Sequence, residues 1–294
     1  MELRVLQYFL AVAREQSILG AAEFLHLSQP TLSRQLKDLE EELGKQLFIR
    51  GNRRITLTEE GMILRKRAEE IVQLVRKTED EISLSDAVIA GDIYIGAGET
   101  DAVRFLVRAE QAIQREYPLV HFHIQSGDRI TITEGLDKGL IDFGLIFGVV
   151  DSSRYESIRV PFTDTWGVLM RRDSPLAAKR EILPEDLSGL PLILSRQKSS
   201  EDPLLSWFCC AKERLNIIGT YSLLFNASLM VEEGMGYALC LDRIINVSGD
   251  SKLCFRPLSP RLEVPMSIIW KKYQVFSRPS EKFLEKLRET FSDI

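Results

Sequence analysis

Ser28, Gln29, Pro30, Thr31, Ser33, Arg34 and Lys37 crowd hydroxyl, amide, guanidinium and ammonium groups into one end of the stretch LSQPTLSRQLKDLEEELG, residues 27–44. Donors of this kind suit nucleic acid: phosphate oxygens take the positive charge, and base edges in the major groove take the bidentate donors. Arg50, Arg53 and Arg54 form a second basic group around Gly51-Asn52, as an arginine tip reaching phosphate or the minor groove requires. Catalytic groups are scarce by comparison. The three histidines are His26, His121 and His123, and no Gly-x-Ser-x-Gly elbow, phosphate loop or complete dinucleotide fingerprint occurs. Cys209, Cys210, Cys240 and Cys254 lack metal-ligand spacing. No catalytic residue, no metal and no cofactor is therefore expected.

Short helices must position the first group. Leu3, Leu6, Phe9, Leu10 and Ala13 share one face of an opening helix, and Ala21, Ala22 and Leu25 belong to a second, whose small residues suit close packing. His26-Leu27 is the turn, Ser28 an N-cap, and Pro30 falls in the first turn of a third helix, where its missing N–H is harmless. On that helix Leu32, Leu36, Leu39 and Leu43 recur at spacings of 4, 3 and 4 and form a buried stripe, with Pro30, Ser33, Arg34 and Lys37 opposite. Asp38, Glu40, Glu41 and Glu42 fill its far end, leaving donors and partial positive charge at the start. Two helices about a tight turn, the second polar outward at its start, predict a helix-turn-helix. Gln46 to Arg50 and Arg54 to Thr58 are expected strands of a hairpin, which makes the motif winged.

Thr58 caps a long charged helix with Glu59 and Glu60 in its first turn. Leu64, Ala68, Ile71, Val75, Thr78 and Ile82 step by 4, 3, 4, 3 and 4 along it, a heptad seam that needs a partner; a second copy of the chain suits a twofold DNA site. From Gly91 strands alternate with helices. GDIYIGAG, VHFHIQSG and DFGLIFG are expected strands, with helices from Asp101 to Glu116 and Ile130 to Lys138, an α/β unit with a parallel sheet. Ligands of such sheets lie beyond the strand ends, here Gly98-Glu99-Thr100, Ser126-Gly127-Asp128 and Phe147-Gly148. A second unit follows, through TWGVLMRRDSPL, GLPLILSRQ, a helix near Pro203 to Arg214, IIGTYSLL and FNASLMVEEGMGYALC; the chain is expected to cross between the two at Pro161 and Pro265 and to return through a strand from Met266 to Lys271 and a helix from about Pro279.

The bulk numbers fit this reading. The chain has 294 residues, 45% hydrophobic and 28% charged, as a folded protein of two or three domains requires. A formal net charge of −5 argues against a protein that coats nucleic acid without discrimination. No apolar run reaches the roughly 18–20 residues of a membrane span, and the N-terminus lacks signal-peptide character, so a cytoplasmic location with no membrane partner is expected.

Residues 2–61, with AVAREQSILGAAEFLHLSQPTLSRQLKDLEEELGKQLFIRGNRRITLTEEG, resemble the DNA-binding domain of LysR-type transcriptional regulators over a long ungapped stretch. GDIYIGAGET, LPLILS and SLMVEEGMGYAL resemble landmarks of that family's effector domain, similar in fold to two-lobed type 2 periplasmic binding proteins. Ile18-Leu19-Gly20 departs from the usual Phe-Thr or Phe-Ser after the serine matching Ser17, and Leu241-Asp242 from the usual Leu-Pro.

The resemblance implies a winged helix-turn-helix at residues 1–58, a linker and dimerisation helix at 59–90 and an effector domain at 91–294, with lobe I at about 91–161 and 266–294 and lobe II at about 162–265. It implies that Gln29, Pro30, Ser33 and Arg34 face bases, that Thr31 and Lys37 meet phosphates, and that Arg53 or Arg54 enters the minor groove, with Ser28 and Arg50 beside them. The effector set it implies is Gly98, Thr100, Ser126, Asp128, Phe147, Ser195, Arg196 and Asn226, with Arg129 a further source of charge; Glu99, Asp101 and Asp128 would repel an anion, so a cationic or neutral ligand stays open. The implied partners are double-stranded DNA with dyad symmetry, a small-molecule effector, a second copy as homodimer or homotetramer, and RNA polymerase as a further candidate. The alternatives are a redox-responsive regulator using its cysteines, and a solute-binding module whose N-terminal domain serves dimerisation.

Overall fold

The computed structural model describes residues 1–51, 54–83, 88–196, 203–208 and 215–292. The chain divides into two compact units, Met1–Ser85 and Asp86–Ile294.

The first unit opens with α1 (Leu3–Glu15), α2 (Ile18–Phe24) and α3 (Gln29–Leu43). Val5, Leu6, Phe9 and Val12 are the buried line of α1, so the stripe is rotated from the expected one and Leu10 and Ala13 sit at its margin. Ser17 caps α2 by accepting the Gly20 N–H at 3.2 Å, and Ala21 and Ala22 lie against the core with essentially no exposure. His26 takes a left-handed φ of 54° in the turn, a conformation histidine adopts more readily than β-branched residues do. Leu32, Leu36 and Leu39 of α3 are buried as expected, but Leu43 is 41% exposed. α3 ends in the left-handed Gly44, φ 62°, and the apolar contact passes to Leu47, which is 1% exposed.

The wing is shorter than expected: β1 (Phe48–Arg50) pairs antiparallel with β2 (Ile55–Leu57) in the register Phe48↔Leu57 and Arg50↔Ile55. Its connection runs from Gly51 to Arg54, closed by the Gly51 N–H on the Arg54 carbonyl at 3.0 Å. Thr58 Oγ1 accepts the Gly61 N–H at 2.9 Å and caps α4 (Glu59–Ser83). A Cβ on Gly61 would stand 2.2 Å from the Leu47 carbonyl oxygen, so this first turn approaches the wing too closely for a side chain.

The second unit is built on one mixed sheet in the order β4-β3-β5-β11-β6-β9-β7-β8, with β10 paired to β6. Its first half holds β3 (Gly91–Ala97), α5 (Val103–Glu116), β4 (Val120–Ser126), α6 (Arg129–Asp137) and β5 (Phe143–Phe147), with β4, β3 and β5 parallel. Its second half holds β7 (Pro191–Ser195), α7 (Pro203–Trp207), β8 (Asn216–Tyr221), α8 (Leu224–Glu232), β9 (Tyr237–Leu241) and β10 (Leu253–Pro257). The helix expected as far as Arg214 is described only through Trp207, and residues 209–214 lie outside the described residues. The last helix, α9 (Arg278–Ser292), packs on α5 and β3 of the first half; Phe283 meets Phe122 with ring centroids 5.2 Å apart.

Two strands join the halves. β6 (Tyr155–Arg171) is a single strand of 17 residues, and β11 (Glu263–Lys271) lies antiparallel along it. Pro161 and Pro265, where the chain is expected to cross, lie within these two strands. The ladder shifts register between Pro265 and Ser267, and β6 pairs with it through Arg159 on one side and Thr163 on the other. Proline has no N–H to give a ladder, so both prolines fall at the interruption. The parallel unit expected is present in β4, β3 and β5, and the sheet as a whole is mixed. β11 pairs antiparallel with both β5 and β6, because each crossing strand runs back through the half it links.

Candidate nucleic-acid interface and ligand cavity

The start of α3 presents its polar side chains away from Leu32, Leu36 and Leu39. Ser28, Gln29, Pro30 and Thr31 are exposed, Ser33 is half-buried, and Arg34 and Lys37 are exposed. Ser28 is spoken for locally: its Oγ accepts the Thr31 N–H at 3.3 Å and shares a hydrogen bond with Thr31 Oγ1 at 2.7 Å. Ser28 therefore shapes the helix end, whereas Gln29, Pro30, Ser33 and Arg34 form its outward edge.

Arg34 stands 4.0 Å from Asp38 and Lys37 3.2 Å from Glu41, each pair four residues apart. Both pairs are exposed, hold little energy and splay the cations along the helix surface. The acidic end of α3 also holds structure. Glu40 Oε1 accepts the Leu47 N–H at 2.7 Å and the Phe48 N–H at 3.2 Å, fixing the wing to the helix, and Glu42 pairs with the chain's amino terminus. In the wing, Arg54 is exposed, Arg50 ends β1, and Arg53 lies outside the described residues. The Ile55 N–H donates to the Gln16 carbonyl at 3.0 Å, anchoring β2 to the end of α1. Sequence reasoning missed Glu40 and Gln16, since an acid in an acidic run carries no mark of its partner.

Along α4 the expected seam divides. Ala68 is fully buried in the unit's own core, Leu64 packs on that core, and Val72, absent from the expectation, joins them. Leu64 and Ala68 are thus corrected to internal packing, and Val75 is half-buried. Ile71, Thr78 and Ile82 are exposed, in line with Leu74; Thr78 Oγ1 donates to the Leu74 carbonyl at 2.8 Å, which satisfies its hydroxyl within the helix.

In the second unit, Gly98, Thr100 and Ser126 of the expected effector set gather around one cavity of about 620 Å³. Its wall is completed by Glu99 and Asp101, by Arg104, Arg108 and Gln111 of α5, and by Arg243. A Cβ on Gly98 would lie 2.4 Å from the Phe147 ring, so the missing side chain seats that ring. Asp128 caps α6 through the Thr131 N–H at 2.8 Å, and that hydrogen bond holds its carboxyl below the usual range. Phe147, Ser195, Arg196 and Asn226 do not line this cavity: Phe147 packs toward Gly98, Ser195 ends β7 with Arg196 just beyond it, and Asn226 is exposed on α8. Arg129 donates to the Phe147 and Val149 carbonyls at 2.6 and 2.5 Å, so it braces a loop.

Thr100 is bound inward. Its hydroxyl donates at 2.5 Å to Asp164, a carboxylate with no exposed surface on the crossing strand β6. Asp164 also receives Arg243 at 3.1 Å, and Arg243 meets Asp242 at 3.2 Å. Burial pushes the Asp164 carboxyl up; the Thr100 hydrogen bond and Arg243 pull it back. Arg243 holds a left-handed φ of 61°, an uncommon backbone for a large residue. One carboxylate at the crossing thus ties Thr100 of the first half to Arg243 of the second. The Leu241-Asp242 departure from Leu-Pro is part of this network, because Asp242 accepts the Thr165 N–H at 2.9 Å.

Cys240 and Cys254 are buried free thiols, and burial pushes the Cys240 thiol up; Cys209 and Cys210 lie outside the described residues. No group of acidic, cysteine or histidine side chains able to hold a metal ion occurs among the described residues, and no described helix is long and apolar enough to cross a membrane.

Comparison with known proteins matches residues 3–62 to the model of the bacterial regulatory helix-turn-helix protein, lysR family, and residues 87–292 to that of the LysR substrate binding domain. The chain is 37% identical over 198 residues to the HTH-type transcriptional regulator BsdA of Bacillus subtilis, covering 67% of each. It is 28% identical over 195 residues to a hydrogen peroxide-inducible genes activator of Dickeya chrysanthemi, spanning 66% of this chain and 63% of that one. In fold it is similar to full-length CbnR, a LysR family regulator solved in complex with its target DNA, at a TM-score of 0.76 and 22% identity over 99% of this chain and 100% of that one.

Proposed function

The chain belongs to the LysR family of transcriptional regulators, and from that premise we propose how it reads DNA and where it takes its signal. The outward edge of α3 enters the major groove, with Gln29, Pro30, Ser33 and Arg34 at base edges and Thr31 and Lys37 on phosphates. Arg50, Arg53 and Arg54 of the wing serve the backbone or minor groove. A second copy pairs through α4, and the twofold protein reads an operator with dyad symmetry. The second unit takes a small molecule at the cavity around Gly98, Thr100 and Ser126. The protein works in the cytoplasm and carries out no reaction.

The observation that carries this reading is the division of α3 into a buried leucine line and an exposed donor edge, capped at Ser28 and clasped to the wing through Glu40. A gel-shift titration against genomic fragments tests it. Binding that weakens steeply with salt and keeps a preferred site supports it, because phosphate contacts release counterions while base contacts select sequence. Retardation of every fragment alike would sink it. Calorimetry with a panel of acids, amines and sugars tests the cavity; heats that vanish when Ser126 is replaced by Trp support it.

The peroxide-inducible relative raises a redox reading, which needs an accessible thiolate. Buried Cys240 and Cys254 do not offer one. That reading rests on Cys209 and Cys210, and DNA binding that survives peroxide unchanged would dismiss it.

A further inference from the structure

The start of α8 is unusual. Its N-cap is Leu223, which offers no side-chain acceptor, yet the first amides of a helix need acceptors and its dipole favours negative charge. The acceptor comes from the other half of the unit: Glu99 Oε2, just beyond β3, takes the Leu224 N–H at 2.5 Å. Beside it, Arg104 and Arg243 of the cavity wall are held by the chain's own acids. Asp101 holds Arg104 at 2.5 Å, and Asp164 and Asp242 hold Arg243. Arg108, farther along α5, lies over the Phe105 ring at 5.3 Å. The remaining wall is amide, hydroxyl and aliphatic, from Gln111, Ser126, Val103, Val107, Ile124 and Ile244.

We propose that Glu99 is a specificity-determining residue of this cavity: its carboxylate occupies the place an anionic ligand would take at α8 and restricts the cavity to uncharged or cationic ligands. The proposal rests on the reading of the cavity as a ligand site. An incoming carboxylate meets Glu99 and Asp101 at close range and must displace Glu99 to reach the first amide of α8. Glu99 competes from the same chain, and a tethered competitor acts at an effective concentration of the order of mM. An uncharged ligand meets no such competitor, and Gln111 and Ser126 supply its hydrogen bonds.

The test is calorimetric titration of succinate and acetate into the full chain as wild type, Glu99→Gln and Glu99→Ala, with the Leu224, Gly98 and Ser126 amide resonances followed in parallel. Glu99→Gln keeps size and packing; Glu99→Ala empties the place. Succinate is expected to bind Glu99→Ala about tenfold or more tightly than wild type, consistent with loss of that competitor, and to move the Leu224 resonance. Equal affinity for wild type and both variants overturns the proposal. So does a folded Glu99→Ala, verified by its circular dichroism, that gains no anion binding. Succinate that binds wild type and moves Gly98 and Ser126 also overturns the selective role of Glu99, while leaving the cavity a ligand site. The cavity reading fails separately, if the uncharged and cationic members of the metabolite panel leave those resonances unmoved.

Discussion

In the proposed reading, Arg34 is the residue of the exposed edge that discriminates between bases. Its side chain is 83% exposed and loosely tethered to Asp38, so it can extend to a guanine without breaking a strong pair. A bidentate contact contributes roughly 1–3 kcal/mol of discrimination against the wrong base. Arg34→Ala is expected to weaken binding at particular base pairs, read by footprinting; a uniform loss over all sequences would make it a phosphate contact. Gly61 is the opposite kind of residue, chosen for what it lacks. Gly61→Ala drives a Cβ into the Leu47 carbonyl, and overpacking of this kind costs roughly 1–3 kcal/mol. Chemical denaturation of residues 1–83 should show that loss, and an unchanged midpoint would mean the wing yields without strain.

Asp164 has a pH signature. Burial is the leading influence on its carboxyl and raises it, so the folded chain holds this proton more tightly than the unfolded chain does. Its contribution to stability is then fully present below the ordinary aspartate range. It is lost as pH rises from there through the raised value. Asp164→Asn keeps an acceptor for Thr100 and removes the titration. Its stability is expected to fall less than the wild type's over that window, measured by denaturant midpoints at several pH values. A parallel pair of curves would show that Arg243 cancels the burial.

Among the elements, α4 presents two faces. Its inner line, Leu64, Ala68 and Val72, is used by its own unit, which leaves Ile71, Leu74 and Ile82 as exposed apolar residues. A partner helix covers such a stripe at little cost, since each fully covered aliphatic side chain gains about 1.5–3 kcal/mol. The double change Leu74→Glu and Ile82→Glu is expected to shift the dimer toward monomer in sedimentation while leaving the circular dichroism of the first unit intact. A dimer unmoved by both changes would place the contact elsewhere. The heptad count joined two faces of this helix in one seam. Period locates a stripe, and only packing shows which neighbour takes which part of it.

For the whole molecule, the sequence by itself determined the local rules: the caps at Ser28 and Thr58, the leucine line of α3, the basic wing, and the strand-helix alternation of the first half. These follow from side-chain period and from groups within a few residues of one another, so no distant partner is needed to read them. The tertiary structure decided what depends on separation in sequence. These are β6 as one unbroken strand across both halves, the antiparallel β11 beside it, and the Thr100–Asp164 and Asp164–Arg243 contacts, which join residues 64 and 79 positions apart. A carboxylate reads the same in sequence whether it caps a helix, repels a ligand or lies buried in an ion pair. For Glu40, Glu99 and Asp164, burial and the partner brought by the fold made that choice.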